Sequence, residues 1–106
     1  MRQVIESNHY STGDGTPDGG DSTSIGLKIK WQQGPLGRGE ERAEPNGCFV
    51  ETVISAALDR LEYYQKSKFS CRENALAITK LQEAIHWLQH RTSERESRAV
   101  EGTHKQ

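Results

Sequence analysis

Cysteine is scarce. Cys48 and Cys71 are the two cysteines in 106 residues, and they form no Cys-x-x-Cys pair, so thiolate zinc sites and dithiol redox motifs find no support. No apolar run approaches the length of a membrane span. The opening MRQVIESNHYSTGDG holds no stretch fit for a signal peptide, so the chain is expected in the cytoplasm of the cell that makes it. An excess of either charge is also missing. Fourteen basic and fifteen acidic side chains leave a formal net charge of -1, which argues against a general DNA or RNA binder. A small anionic ligand needs only a few well-placed arginines and is compatible with that balance. Hydrophobic residues make up only 32%, with a mean hydropathy of -0.86. One small domain of this polarity buries a thin core, so self-association is an expected source of stability.

What is present divides at about residue 48. Residues 2–24 are polar and end in TGDGTPDGGDSTS, which reads as a turn-rich loop. RQVIESNHY within it is a weak strand candidate. Asp14, Asp18 and Asp21 miss the EF-hand spacing, which favours a solvated loop over a calcium site. In IGLKIKWQQ (25–33), Ile25, Leu27, Ile29 and Trp31 alternate with Gly26, Lys28, Lys30 and Gln32. That period of two predicts a strand with one buried face, which must pair elsewhere because a single strand is not stable alone. GPLGRGEERAEPNG (34–47) is a loop; its glycines and Arg38 resemble a phosphate cradle but lack the Gly-Lys-Ser/Thr ending of a P-loop.

From Cys48 the period changes. Val50, Val53, Ile54, Ala57, Leu58, Leu61 and Tyr64 recur at three- and four-residue steps and predict an amphipathic helix. QKSKF makes a turn. Ser70 and Glu73 have capping-box spacing, opening a second helix with the stripe Cys71, Asn74, Ile78, Leu81, Ile85 and Leu88. The short turn makes the helices antiparallel, placing Cys48 and Cys71 at opposite ends, roughly 25–30 Å apart and unable to pair within one chain. Ala77, Ala84 and Trp87 suggest a second face suited to another subunit. Beyond about Arg98 the periodicity fades into an expected polar tail.

Asn74 stands out as an amide on an apolar stripe. It either braces the hairpin turn or reads a base or ribose edge with both a donor and an acceptor. Tyr63 and Tyr64 end the first helix across the turn from it; they either pack in the core or offer a stacking surface for a nucleobase. Arg91 and Arg95 lie at the far end of the second helix. The helix dipole alone accounts for Arg95, whereas copies of Arg91 gathered by symmetry would suit phosphates. Glu83, His86 and His90 have Glu-x-x-His and i, i+4 spacing, but no further ligand set accompanies them, and exposed helix histidines are the better reading. No Ser/His/Asp or Cys/His constellation is supported.

The segments NGCFVETVISAALDRLEYYQ and KFSCRENALAITKLQEAIHWLQHRT, with RAVEGTH near the end, resemble the phage hairpin-domain family of cyclic-nucleotide sponges. That family comprises the Thoeris anti-defence proteins one and the anti-CBASS proteins two. The resemblance covers about residues 46–104, and CRENALAITKLQEA and VEGTH are its specific parts. Ala99 stands where glycine is expected. The preceding strand and GPLG loop look more like the Thoeris branch. The resemblance implies a non-catalytic protein that holds bacterial immune messengers in the cytoplasm of the infected host, with no cofactor and no metal. The implied partners are glycocyclic ADP-ribose, CBASS cyclic trinucleotides and further copies of the chain, commonly a hexamer. It carries glycocyclic ADP-ribose contacts to Tyr64 and Asn74, and trinucleotide phosphate contacts to Arg91 and Arg38.

The expected architecture is therefore α+β in a symmetric homo-oligomer. Residues 1–47 form a small N-terminal β region with Gly-rich loops, 48–98 the antiparallel helical hairpin that binds ligand and partner copies, and 99–106 a polar tail. No DNA, RNA or membrane partner is expected. The alternative function is an oligomeric helical inhibitor that masks a host defence enzyme, and a hydrolase built on Glu83, His86 and His90 is a further rival.

Overall fold

A computed structural model of the chain describes residues 4–34, 36 and 44–104. The fold is α+β: three strands are followed by two helices, in the order β1 (Glu6–Ser11), β2 (Pro17–Ser24), β3 (Leu27–Trp31), α1 (Val50–Gln65) and α2 (Arg72–His104). The chain separates into two compact units, residues 1–49 and 50–106.

The first unit is an antiparallel sheet of strand order β1-β2-β3. Its central strand, PDGGDSTS, falls within the segment expected to be a loop. Composition misleads there because β2 draws its stability from backbone pairing on both sides. Glu6 pairs with Thr23 and Ser7 with Ser22 on one edge, while Ser22 pairs with Ile29 and Ser24 with Leu27 on the other. Gly20 has a positive φ of 136°, and a Cβ there would overlap the Asn8 carbonyl oxygen; glycine is what lets β1 and β2 approach. Pro17 begins the strand, where its missing N–H does least harm. The β1–β2 turn closes with Thr12 N–H donating to Thr16 O at 2.9 Å and Gly15 N–H to Thr12 O at 3.0 Å.

The alternation in β3 holds only in part. Ile29 is buried at 9% exposure, but Leu27 is 39% exposed and Ile25 fully exposed. Ile25 lies outside the strand, in the connection with Gly26 (φ 78°). Beside Ile29 lies buried Ser22, whose Oγ accepts the Trp31 indole N–H at 3.0 Å and meets Ser7 Oγ at 2.9 Å. One hydroxyl thus links all three strands. Cys48 belongs to this unit rather than to the helix: it bridges Trp31 in parallel, donating its N–H to Lys30 O and accepting from Gln32 N–H.

The second unit is the expected hairpin of α1 and α2. Ile54, Leu58, Leu61 and Tyr64 are half-buried, as are Asn74, Ile78, Leu81, Ile85 and Leu88, and no residue of α1 is fully buried. Two helices alone can shield only one stripe each. Ala77 and Ala84 are half-buried with that stripe, so they do not form a separate face with Trp87, which is 59% exposed. The N-cap of α2 is Cys71, one residue beyond the expected Ser70. Its carbonyl accepts from Ala75 N–H at 3.3 Å and its Sγ from Asn74 N–H at 3.4 Å. Helix α2 continues through His104, past the end expected near Arg98. No described helix is long and apolar enough to cross a membrane.

Candidate functional site

The turn joining α1 to α2 is closed by its own polar groups. Lys66 and Ser67 N–H donate to the carbonyls of Tyr63 and Tyr64, at 3.1 and 3.0 Å. The Ser67 hydroxyl donates to Tyr64 O at 2.6 Å and accepts from Phe69 N–H at 3.1 Å. Gln65 ends α1 with a carboxamide that pairs with both backbone groups of Cys71. Its Nε2 donates to Cys71 O at 3.1 Å, and its Oε1 accepts from Cys71 N–H at 3.0 Å. That two-point clasp joins the last residue of one helix to the cap of the next. Nothing in the helical periodicity marked Gln65; the signal available was a carboxamide six residues before a cap.

Phe69 projects from this turn, 64% exposed, with its ring edge-on to Tyr64 at a centroid distance of 6.4 Å. Its carbonyl accepts a hydrogen bond from Asn74 Nδ2 at 3.2 Å. Tyr64 and Asn74 thus meet through one intermediary, the ring of Phe69 on one side and its carbonyl on the other. Asn74 braces the turn, the first of its two sequence readings. Among the described residues no donor reaches its Oδ1.

A second residue missed in the sequence is Arg60. Residues three and four apart share a helix face, and the Arg60 guanidinium carbon lies 5.0 Å from the ring centroids of both Tyr63 and Tyr64. The two rings are 6.1 Å apart and tilted by 50°, so the cation occupies the notch between them. The hydroxyl of Tyr64, followed by the phenol's charge, raises the guanidinium above its ordinary pKa. One face of Tyr64 is therefore already covered. Asp59, Arg60, Glu62, Tyr63 and Lys66 line a shallow hollow of about 350 Å³ beside it.

Arg91 lies at the other end of the hairpin, where its Nη2 is 3.5 Å from Glu51 Oε1 in the first turn of α1. It is therefore not grouped with Tyr64 and Asn74. Because α2 runs on to His104, Arg91 and Arg95 are several turns from the helix end, and the dipole argument for Arg95 loses its premise. Arg38 lies outside the described residues. His86 and His90 both pack edge-on to Trp87, and His90 Nε2 is 3.4 Å from Glu94 Oε1. Among the described residues no three His, Cys, Asp or Glu gather to hold a metal. A separate hollow of about 460 Å³ in the sheet unit is lined by residues including Tyr10, Asp18, Lys28, Lys30 and Trp31.

Comparison with known proteins returns to the hairpin. The family described as Acb2/Tad1, hairpin domain, matches residues 23–93, a span that holds α1, the turn and the part of α2 bearing Asn74 and Arg91. The chain is similar to Thoeris anti-defense 1 of Bacillus phage SBSphiJ7, with 46% identity over 95 residues. That alignment takes in 82% of this chain and 64% of the relative, so the chain spans just under two thirds of the relative's length. A family match over most of the chain, reinforced by identity at this level, assigns the chain to the Acb2/Tad1 hairpin-domain family.

Proposed function

We propose that this protein is a phage anti-defence sponge, which binds immune cyclic-nucleotide messengers in the infected host's cytoplasm and holds them without degrading them. The carrying observation is membership of the hairpin family across a span that includes Tyr64, Asn74 and Arg91, with 46% identity to a Thoeris anti-defence protein. Glycocyclic ADP-ribose is the first ligand. Tyr64 offers it an aromatic surface, and Asn74 offers the Oδ1 acceptor beside Phe69. Cyclic trinucleotides of CBASS are the second ligand class, with Arg91 and Arg38 pairing their phosphates. For that to happen Arg91 turns part of its guanidinium away from Glu51, or uses its remaining donors.

No catalytic residue, metal or cofactor is required, because burial of the messenger is enough to starve its effector. The chain acts as a symmetric homo-oligomer, a hexamer. Val50, Leu76 and Trp87 support self-association, as large apolar side chains of a two-helix unit with exposures of 49, 48 and 59%. The same exposed residues favour the second reading, an oligomeric inhibitor docked on a host defence enzyme.

One experiment separates these readings. The protein is incubated with glycocyclic ADP-ribose or a cyclic trinucleotide, the free ligand is measured, and the protein is then heat-denatured. A sponge depletes the free ligand and returns it intact. A hydrolase returns product, and a protein inhibitor never depletes the ligand; either result overturns the proposal. Light scattering on the same sample reads the assembly, and a monomer at micromolar concentration refutes the oligomer.

A further inference from the structure

Arg60 is held in place yet has no anionic partner among the described residues. Its flat cation sits in the notch between Tyr63 and Tyr64, 5.0 Å from each ring centroid. A cation–π contact of this kind restrains a guanidinium without using its N–H donors. Arginine has five such donors, more than the one neighbouring Tyr64 hydroxyl could occupy. Asp59 and Glu62 line the same hollow, but the lysine and arginine ion pairs among the described residues are Lys80–Glu83 and Arg91–Glu51. Neither Arg60 nor Lys66 therefore has a described carboxylate within 4.0 Å. The hollow of about 350 Å³ falls at the lower end of the size range of small-molecule sites, roughly 300–1,000 Å³.

From this geometry we infer that Arg60 is a further ligand-binding residue of the hairpin-turn site, clamping a phosphate of the nucleotide whose base stacks on Tyr64. The inference rests on the proposed binding role of Tyr64 and adds a contact to it. Contact with both rings restrains the guanidinium, so less rotamer freedom is lost when it meets a ligand. Its planar fork suits charge-assisted pairing with phosphate oxygens. Lys66, on the rim of the same hollow, adds a point charge without fork geometry. A lysine at position 60 keeps the charge but loses both the fork and the stack, so it replaces Arg60 only partly.

The test is calorimetric titration of glycocyclic ADP-ribose into wild type, Arg60→Gln, Arg60→Lys and Tyr64→Ala, with phosphorus NMR of the bound ligand. Thermal melts confirm that each variant is folded. Arg60→Gln is expected to weaken binding by about tenfold, the size of one charge-assisted hydrogen bond, and Arg60→Lys by less. At saturation the phosphorus resonance of the ligand should shift between wild type and Arg60→Gln, which a merely structural role would not produce. If wild type binds and Tyr64→Ala does not, while Arg60→Gln binds like wild type with an unmoved phosphorus signal, this inference fails and the reading of Tyr64 stands. If wild type does not bind, both fail together.

Discussion

Replacing Gln65 tests whether the hairpin turn is a built element or a passive connection. Its carboxamide makes two hydrogen bonds to Cys71, at 3.0 and 3.1 Å, and the side chain is half-buried. Each such bond contributes a net ~0.5–1.5 kcal/mol. Alanine removes both but improves helix propensity by a few tenths of a kcal/mol, so Gln65→Ala should destabilise the hairpin by about 1–2 kcal/mol. At about 4–8 °C per kcal/mol for a domain of this size, Tm falls by roughly 5–15 °C. Gln65→Glu keeps the acceptor for Cys71 N–H and loses the donor to Cys71 O. Its second carboxylate oxygen then faces the Cys71 carbonyl, and its charge sits at the C-terminus of α1, where anions are disfavoured, so its cost should at least equal that of alanine. Urea unfolding followed by helical circular dichroism, at fixed protein concentration, measures both. An alanine variant within about 0.3 kcal/mol of wild type, inside the usual scatter of surface substitutions, would refute the clasp.

Asn74→Ala should abolish glycocyclic ADP-ribose capture in a folded oligomer, with a Tm loss limited to its one bond to Phe69 O; full-strength capture in calorimetry rejects the ligand role. Arg91→Ala should weaken cyclic trinucleotide binding and spare glycocyclic ADP-ribose, since Arg91 sits beside Glu51 at the hairpin end away from the turn; equal loss of both ligands in paired titrations argues for one shared site. Gly20→Ala should separate β1 from β2, because its Cβ meets the Asn8 carbonyl; amide exchange across Glu6–Ser11 should rise sharply, and unchanged protection contradicts the requirement. Asp14 is held at a pKa of about 2, first by the Thr12 hydroxyl and then by Thr16, below the ordinary carboxylate value of about 3.9. Its contribution is therefore complete above about pH 4 and is lost as pH falls through about 2; it is small because the group is exposed. A carboxyl NMR titration with its midpoint near 4 would disprove the assignment.

The helical hairpin was legible in the sequence because a 3.6-residue period, from Val50 to Tyr64 and again from Cys71 to Leu88, has few competing solutions. Its turn, its antiparallel sense and the position of Tyr64 and Asn74 on either side of that turn follow from chain spacing alone. The motif CRENALAITKLQEA also carried the family. The sheet was less legible. β2 is stabilised by the two strands beside it rather than by its own side chains, so PDGGDSTS has the composition of a loop and the backbone pairing of a central strand. Only the paired structure makes Gly20 a requirement for close approach rather than a residue of a turn-rich loop. The helix cap moved from Ser70 to Cys71 because a sulfur and a carbonyl met the helix geometry there. What the sequence determined, then, was periodic: which faces are apolar, and which polar residue interrupts them. What tertiary structure decided was pairwise: the Asn74 bond to Phe69, the Gln65 clasp on Cys71 and the seat of Arg60 between two tyrosines. Each depends on distances that only the closed turn or the formed helix surface sets, and no one-dimensional pattern encodes them.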